Sequence, residues 1–315
     1  MALCLLIFKS PVCIINKNTL GMINMHVIVN PNAGLGKAAR IGKMVADELA
    51  KHNRQFSISF TSAPGHATEI VRAAYLAGER VFVTVGGDGT VNEAVNGLSG
   101  NDVTLGIIPA GTGNDFIRSI NIPNDPLTAL EIILIGFSKP IDLPKCNNRR
   151  FINVCGIGFD VDTLKTSFRL KNKVPKSSIY LISLLVTLLS FRFKPVTLEV
   201  DGQTQHKEIM MVNIANGRCY GNGIPVSPQS KVDDGVLDVC VIDKLPKILI
   251  PYMLISFLRG KHARHKKYVH FLHAKSVTIS ADTAEDVQID GDLSEFTPAT
   301  FTIRDQIRVF APQEK

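Results

Sequence analysis

The chain has 315 residues, a net charge of +7 and a pI near 9.1, a length that suggests about two domains. Apolar residues make up 45% and charged residues 20%, which excludes a disordered chain. The positive charge favours an anionic partner, but 7% aromatic content and no Trp deprive a nucleic-acid binder of its stacking platforms.

Met1–Ile15 is apolar but broken by Lys9 and Pro11. It is too short to span a bilayer and has neither the basic start nor the cleavage site of a signal peptide. Met22 and Met25 stand just before the first strand, so residues 1–24 read as an extension from a start codon placed too early. A genuine anchoring segment is the rival. From Met25 to Leu143 strands and helices alternate: strands at 26–29, 56–61, 81–85 and 105–108, helices at 38–52, 67–77, 90–98 and 126–135. Ile41, Met44, Val45 and Leu49 mark the buried face of the first helix. Thr90 with Glu93 reads as a capping box, and Asp125 before Pro126 as a helix start. This alternation predicts an α/β domain over 25–143, three-layered with a parallel sheet. From 144 to 300 short strands separated by Asp-Gly and Asn-Gly turns predict a mainly β domain, sandwich-like, interrupted by helices near 178–190 and 247–259. The stretch 179–193 is too short to span a membrane and reads as a buried helix, with membrane-surface contact as its rival. Cys4, Cys13, Cys146, Cys155, Cys219 and Cys240 form no C-x-x-C pair, which excludes a zinc ribbon and reads as buried reduced thiols of a cytoplasmic protein.

Three loops in the first domain each follow a strand. Asn30-Pro31-Asn32-Ala33-Gly34-Leu35-Gly36-Lys37 can aim backbone N–H groups at an anion, though Ala38 stands where a Walker A loop needs Ser or Thr. Gly86-Gly87-Asp88-Gly89-Thr90 lets the chain approach phosphates closely, with Asp88 able to hold Mg²⁺ against them. Pro109-Ala110-Gly111-Thr112-Gly113-Asn114-Asp115-Phe116 adds hydroxyl, amide and carboxylate groups. Ligands of parallel sheets bind beyond the carboxyl ends of the strands, where these loops lie.

The set NPNAG, GGDGTVNE and PAGTGNDF, followed by the Asp233-Asp234-Gly235 and Asp290-Gly291-Asp292 elements, resembles the diacylglycerol kinase catalytic domain family, in its soluble bacterial lipid-kinase branch. The resemblance runs from about Met25 to Pro312. It implies that Asn30, Pro31, Asn32, Ala33, Gly34, Thr61, Gly86, Gly87, Asp88, Gly89, Thr90, Val91, Asn92 and Thr112 bind ATP. It implies that Asp234, with the carbonyls of Lys231 and Val236, holds a structural Mg²⁺. It also implies that the chain end, 301–312, returns to the first domain. Where the family often has D-G-E this chain has D-G-D, so the general base falls on Asp292, one methylene shorter, with Asp290 as the neighbouring alternative. The implied activity is transfer of the γ-phosphate of ATP to a lipid hydroxyl, that of diacylglycerol in the first instance. An NAD kinase, which shares GGDGT, and a catalytically silent membrane- or nucleotide-binding protein are the rivals. Lys165, Arg169, Lys171, Lys173 and Lys176 form one acid-free basic stretch, and Arg259, Lys261, Arg264, Lys266 and Lys267 another. Both read either as solvated faces or as peripheral contact with an anionic membrane surface, the latter at about 1 kcal/mol per basic residue. A homodimer is carried as an open expectation.

Overall fold

The computed structural model describes residues 12–13, 24–171, 173–175 and 178–313. The reading of residues 1–24 as an extension lies outside these, apart from Asn24 and Val12–Cys13; the latter pair antiparallel with Ser59 and Ile58. Lys176 also lies outside them. The chain divides into two compact units: residues up to Ile141 with those from Asp305 onward, and Asp142–Arg304.

The first unit alternates β1 (Met25–Val29), α1 (Lys37–Lys51), β2 (Phe56–Phe60), α2 (His66–Leu76), β3 (Val81–Gly86), α3 (Asp88–Gly97), β4 (Thr104–Pro109), the short α4 (Phe116–Ser119) and α5 (Pro126–Ile135). The strands are parallel in the order β2-β1-β3-β4. Residues 308–309, near the end of the chain, pair parallel with Thr104 and Leu105 as the next strand. All five residues of β1 are buried, as a strand covered on both faces must be. The order reverses between β1 and β3, and such a switch point opens a crevice for ligands.

Three sequence readings shift here. The buried stripe of α1 is Ala38, Gly42, Val45 and Leu49, with Ile41 and Met44 on its rim. The helix rotates because Gly42 presses on Val29, whose Cγ2 would lie 2.8 Å from an added Cβ. α3 begins at Asp88 with Gly87 as its cap, so Thr90 sits inside the helix rather than capping it. Glu93 then closes no capping box; its Oε2 accepts from the Ala67 N–H (3.1 Å) and caps the neighbouring α2 instead. Asp125 does cap α5, accepting from Thr128 N–H at 2.8 Å with Pro126 at the first turn.

The second unit is built on β5 (Ser138–Cys146), which enters it from the first unit, and continues through β6 (Val154–Gly158), α6 (Phe159–Leu170), α7 (Ile179–Ser190), β7 (Lys194–Val200) and β8 (Gln203–Ala215). It then runs through β9 (Leu237–Asp243), α8 (Ile250–Leu258), β10 (Val269–Ala274), β11 (Ser276–Ser280), β12 (Asp286–Ile289), β13 (Asp292–Phe296) and β14 (Ala299–Phe310). Here β6 through β14 pair antiparallel among the described residues. β8 is the hinge of the sandwich: its exposed first half pairs with β7, a bulge follows Ile209, and its buried second half pairs with both β6 and β9. One core fills the space between the sheet faces, around Phe151, Ile157, Leu198, Val212, Val241 and Phe301. A second lies beneath the helices, around Phe159, Phe191, Ile242, Met253 and Phe257. Cys146, Cys155, Cys219 and Cys240 are free and buried, and burial pushes the Cys146 thiol up to about 12.

Helix α6 escaped the sequence reading, although Asp160 and Asp162 in its first turn and Arg169 in its last complement a helix dipole. Nor is α7 the buried helix expected. Its Ser183 and Thr187 face inward, Thr187 Oγ1 meeting Thr166 Oγ1 of α6 at 3.2 Å, while Leu185, Val186 and Leu189 face outward. Thr187 pairs with α6, Ser183 Oγ is buried without a hydrogen-bond partner, and Leu185, Val186 and Leu189 are left exposed.

Candidate active site

In the first unit the three glycine-containing loops meet at the switch point and are stitched together by side chains. Asn30, at the end of β1, donates from Nδ2 to Thr90 Oγ1 (3.1 Å), which ties the first loop to α3. Its Oδ1 accepts from the Asn32 N–H (3.2 Å), folding Pro31, Asn32 and Ala33 into a turn. Gly34 has φ +58°, and a Cβ there would fall 2.2 Å from the carbonyl oxygen of Ala110 in the third loop. The second and third loops touch through glycines too: a Cβ on Gly111 would lie 2.4 Å from Gly87 Cα. Such close approaches leave no room for side chains over the backbone N–H groups, the condition for a phosphate cradle. Thr61 N–H donates to Val29 O (2.9 Å), bringing the end of β2 beside the same crevice.

Asp88 has a structural duty that its sequence position concealed. Its Oδ1 accepts from the N–H groups of Asp115 (2.8 Å) and Phe116 (3.2 Å), and so caps α4 from another element. Oδ2 is turned toward Gly113, 3.0 Å from where a Cβ would stand. Burial is the main cause holding this carboxyl above its ordinary range; the Phe116 N–H opposes it and the Asp115 charge adds to it. A cation at Oδ2 would offset that cost. Asn114, at φ +49°, grips Gly111 through both N–H (3.0 Å) and C=O (3.1 Å) and donates to Asn124 Oδ1 (2.8 Å). Gly86, Gly89 and Thr112 line these turns, Thr112 exposed. Val91 and Asn92 are buried within α3, so their side chains serve the helix rather than an open crevice.

In the second unit the residues 231–236 form a tight turn. Gly235, at φ +74°, donates its N–H to Asp142 Oδ2 (2.9 Å), and Val236 donates to Asp234 Oδ1 (3.3 Å). Asp142 N–H in turn donates to Val232 O (2.6 Å). Asp234 is exposed, as is Lys231. The buried Asp238 is held above the ordinary carboxylate range, chiefly by burial, with the Asp234 charge among the causes. The turn therefore offers hard oxygen donors in a field already negative, which fits a hard divalent cation.

The D-G-D turn resolves two neighbours into different roles. Asp290, at φ +49°, accepts from the N–H groups of Ile152 (2.9 Å), Asn153 (3.0 Å) and Val154 (3.0 Å). Both of its oxygens are committed to backbone, so it anchors the turn and is a poor proton acceptor. Asp292 is exposed and meets Arg149 Nη2 at 2.8 Å, leaving oxygen lone pairs open to a hydroxyl. The sequence reading missed Arg149, Asp142 and a buried polar cluster beside the turn. Within that cluster Asp160 Oδ2 accepts from Asn213 Nδ2 (2.9 Å), and Gln288 Oε1 accepts from Gly291 N–H (2.8 Å). Gly156 lies among them: a Cβ there would stand 2.3 Å from Asp160 Oδ2 and 3.2 Å from Gln288 Nε2. Asp160 Oδ1 is buried without a partner, and burial pushes this carboxyl up to about 6.

The basic stretches differ from one another. Lys165 is ion-paired with Asp286, so the first is not free of acids in space. The residues Arg259, Lys261, Arg264, Lys266 and Lys267 are all exposed. His262 is buried and its Nε2 lies 2.9 Å from Val226 O. No helix among the described residues is long and apolar enough to cross a membrane.

Comparison with known proteins agrees with this geometry. Residues 24–146 match the diacylglycerol kinase catalytic domain, and residues 153–311 match the YegS C-terminal NAD kinase beta sandwich-like domain. Similar proteins include a Staphylococcus aureus (strain MRSA252) diacylglycerol kinase, 31% identical over 293 residues and 92% of each chain. Another is a Bacillus subtilis (strain 168) diacylglycerol kinase, 30% identical over 93% of this chain and 98% of its relative. The crystal structure of a diacylglycerol kinase from Bacillus anthracis (strain Sterne) superposes with a TM-score of 0.70 at 26% identity, covering 93% of this chain and 98% of that one. The glycine loops, the D-D-G turn and the β-sandwich thus fall within one family pattern along nearly the whole chain, and the protein belongs to the diacylglycerol kinase catalytic domain family as an enzyme of the lipid-kinase class.

Proposed function

We propose that the enzyme transfers the γ-phosphate of ATP to the hydroxyl of diacylglycerol, giving phosphatidate, and does so peripherally at an anionic membrane surface. The observation that carries this reading is the stitched cluster of three glycine loops at the switch point, where Asn30, Thr90, Asp88 and Asn114 fix backbone N–H groups and a helix N-terminus in one crevice. In this reading Asn30–Gly34, Thr61, Gly86–Asn92 and Thr112 hold ATP, with Val91 and Asn92 acting through α3 itself. Preorganised donors of this kind stabilise the charge of a transferring phosphoryl group without reorganising. Mg²⁺ suits the donors here: Asp88 Oδ2 toward phosphates, and Asp234 with the Lys231 and Val236 carbonyls as a structural site. When bound it supplies charge neutralisation at phosphate oxygens. Asp292 takes the proton of the lipid hydroxyl, and the Arg149 guanidinium orients its carboxylate. Asp290 holds the turn that presents it.

The test is direct. Pure protein is incubated with γ-labelled ATP, Mg²⁺, NAD and a total lipid extract, and the labelled product is identified. Labelled phosphatidate is the expected result. Label in another lipid would keep the kinase class and move the substrate; label passing only to NAD would overturn the reading in favour of an NAD kinase.

A further inference from the structure

A second surface, on α8, is not explained by phosphoryl transfer. The helix buries Ile250, Met253, Leu254 and Phe257, the expected i, i+3, i+4, i+7 stripe. Its opposite side should then be polar. Instead Tyr252 (61% exposed), Ile255 (49%) and Leu258 face solvent, as do Ile248 (85%) and Leu249 in the turn that leads into the helix. Large apolar side chains contiguous on the outside of a folded protein mark a contact surface.

The charge around this face identifies the occupant. No acidic residue occurs from Lys244 to Ala281. Lys244 is paired with Glu208. Lys247 precedes the face, and Arg259, Lys261, Arg264, Lys266 and Lys267 follow it, all exposed. The basic segment is held against the helix: the His265 ring lies 5.2 Å from the Tyr252 ring, and His265 Nε2 meets Ser256 Oγ at 2.9 Å. Arg264 and Lys266 flank that histidine, so cations border the apolar side chains rather than trailing away from them. An apolar face with a tyrosine, continuous with a lysine- and arginine-rich segment that carries no acid of its own, has the chemistry of an interfacial helix that seats in the headgroup layer of an anionic bilayer.

We propose that the outward face of α8 is a membrane wedge: Ile248, Leu249, Tyr252, Ile255 and Leu258 enter the acyl boundary while the adjoining basic segment pairs with anionic headgroups. This deepens the lipid-kinase reading and rests on it for its purpose, but its physical signature is separate. Cations alone give binding that salt abolishes; an inserted apolar face leaves a salt-resistant remainder.

The experiment uses the full chain and vesicles of phosphatidylcholine with phosphatidylglycerol, against phosphatidylcholine alone. Because the chain has no Trp, Tyr252→Trp places one indole on the face; its emission is expected to move to shorter wavelength on anionic vesicles. The triple variant Ile248→Ser, Tyr252→Ser, Ile255→Ser alters exposed positions only. It is expected to retain the wild-type melting temperature, to partition onto anionic vesicles at least tenfold more weakly, and to lose the fraction that resists 0.5 M salt. Wild-type-like partitioning of the triple variant, or an unshifted indole on vesicles that bind the protein, would overturn the proposal. So would a triple variant that binds vesicles normally but shifts from dimer to monomer, since the face would then join copies of the chain. Phosphorylation of a short-chain, water-dispersed diacylglycerol is the separate control: the triple variant should match the wild type, and a wild type that fails there refutes the diacylglycerol reading whatever the vesicles show.

Discussion

Asp160→Asn is expected to stabilise the protein, and to do so only above acidic pH. The carboxyl sits at the start of α6 with Oδ1 buried and unpartnered, and it titrates at about 6 in the fold. An unfolded chain binds the same proton near 3.8, the ordinary value. The folded state therefore holds the proton more tightly, and the anion weakens the fold. That penalty is absent below pH 3.8, grows as pH rises to about 6, and is constant above. A gap of roughly two pH units, at 1.36 kcal/mol each, makes it about 3 kcal/mol. Asparagine keeps an oxygen to accept from Asn213 Nδ2 but buries a new N–H₂ near the orphaned position, a cost of about 1 kcal/mol. The net gain is about 2 kcal/mol at pH 8, or roughly 4–8 °C in melting temperature for a unit of this size. Thermal melts of wild type and variant from pH 4 to pH 8 read this out, with the curves crossing near the acid end, where the penalty on the carboxyl fades and the cost of the buried N–H₂ remains. A variant that melts at or below the wild type at pH 8, or whose gain is the same at both ends, would refute the reasoning.

Asp88→Ala should abolish transfer and also lower stability by about 1–3 kcal/mol, because the Asp115 and Phe116 N–H groups lose their acceptor; kinase assay and denaturant titration check both. Asp292→Asn should melt normally yet cut kcat about 10²–10⁴-fold with ATP binding intact, whereas Asp290→Ala should unfold at markedly lower temperature because its three backbone donors are orphaned. A dead Asp290→Asn beside a near-normal Asp292→Asn would reverse those two roles. Asp234→Ala should remove the rise in melting temperature that Mg²⁺ gives the wild type; an unchanged Mg²⁺ dependence would move the structural metal elsewhere.

The meeting of the three glycine loops was readable because glycine, asparagine and aspartate at strand ends have few other uses, and because local order along the chain matches order at the sheet edge. The sequence could not reveal partners distant along it. Asp88 looks like a free metal ligand until Phe116, 28 residues on, is found donating to it. Thr90 and Glu93 have capping-box spacing, yet Glu93 turns to Ala67 because α2 lies alongside. Asp290 and Asp292 are equivalent in a string of letters; only the chain at Ile152–Val154, passing beneath one of them, separates anchor from candidate base. Asp160, Asn213 and Gln288 are scattered over the β-rich half and share no motif, so their cluster exists only through the pairing of β6 with β8 and β12. Helix α7 misled for a different reason: hydrophobic content predicts burial only when the polar residues lie outside, and Ser183 and Thr187 lie inside.

β14 begins against β11 in the second unit and ends with Arg308 and Val309 paired to Thr104 and Leu105 in the first. During synthesis, the ribosome therefore releases a parallel sheet that still lacks its last strand. β4 must wait, one edge unpaired, while some two hundred further residues, the whole second unit among them, are made and folded. An open edge of that kind invites pairing with other chains, and such delayed, long-range closure is slow. The unit that carries the glycine loops is first in the gene but among the last parts to be completed, so truncated products should aggregate through β4 rather than persist as a free first unit.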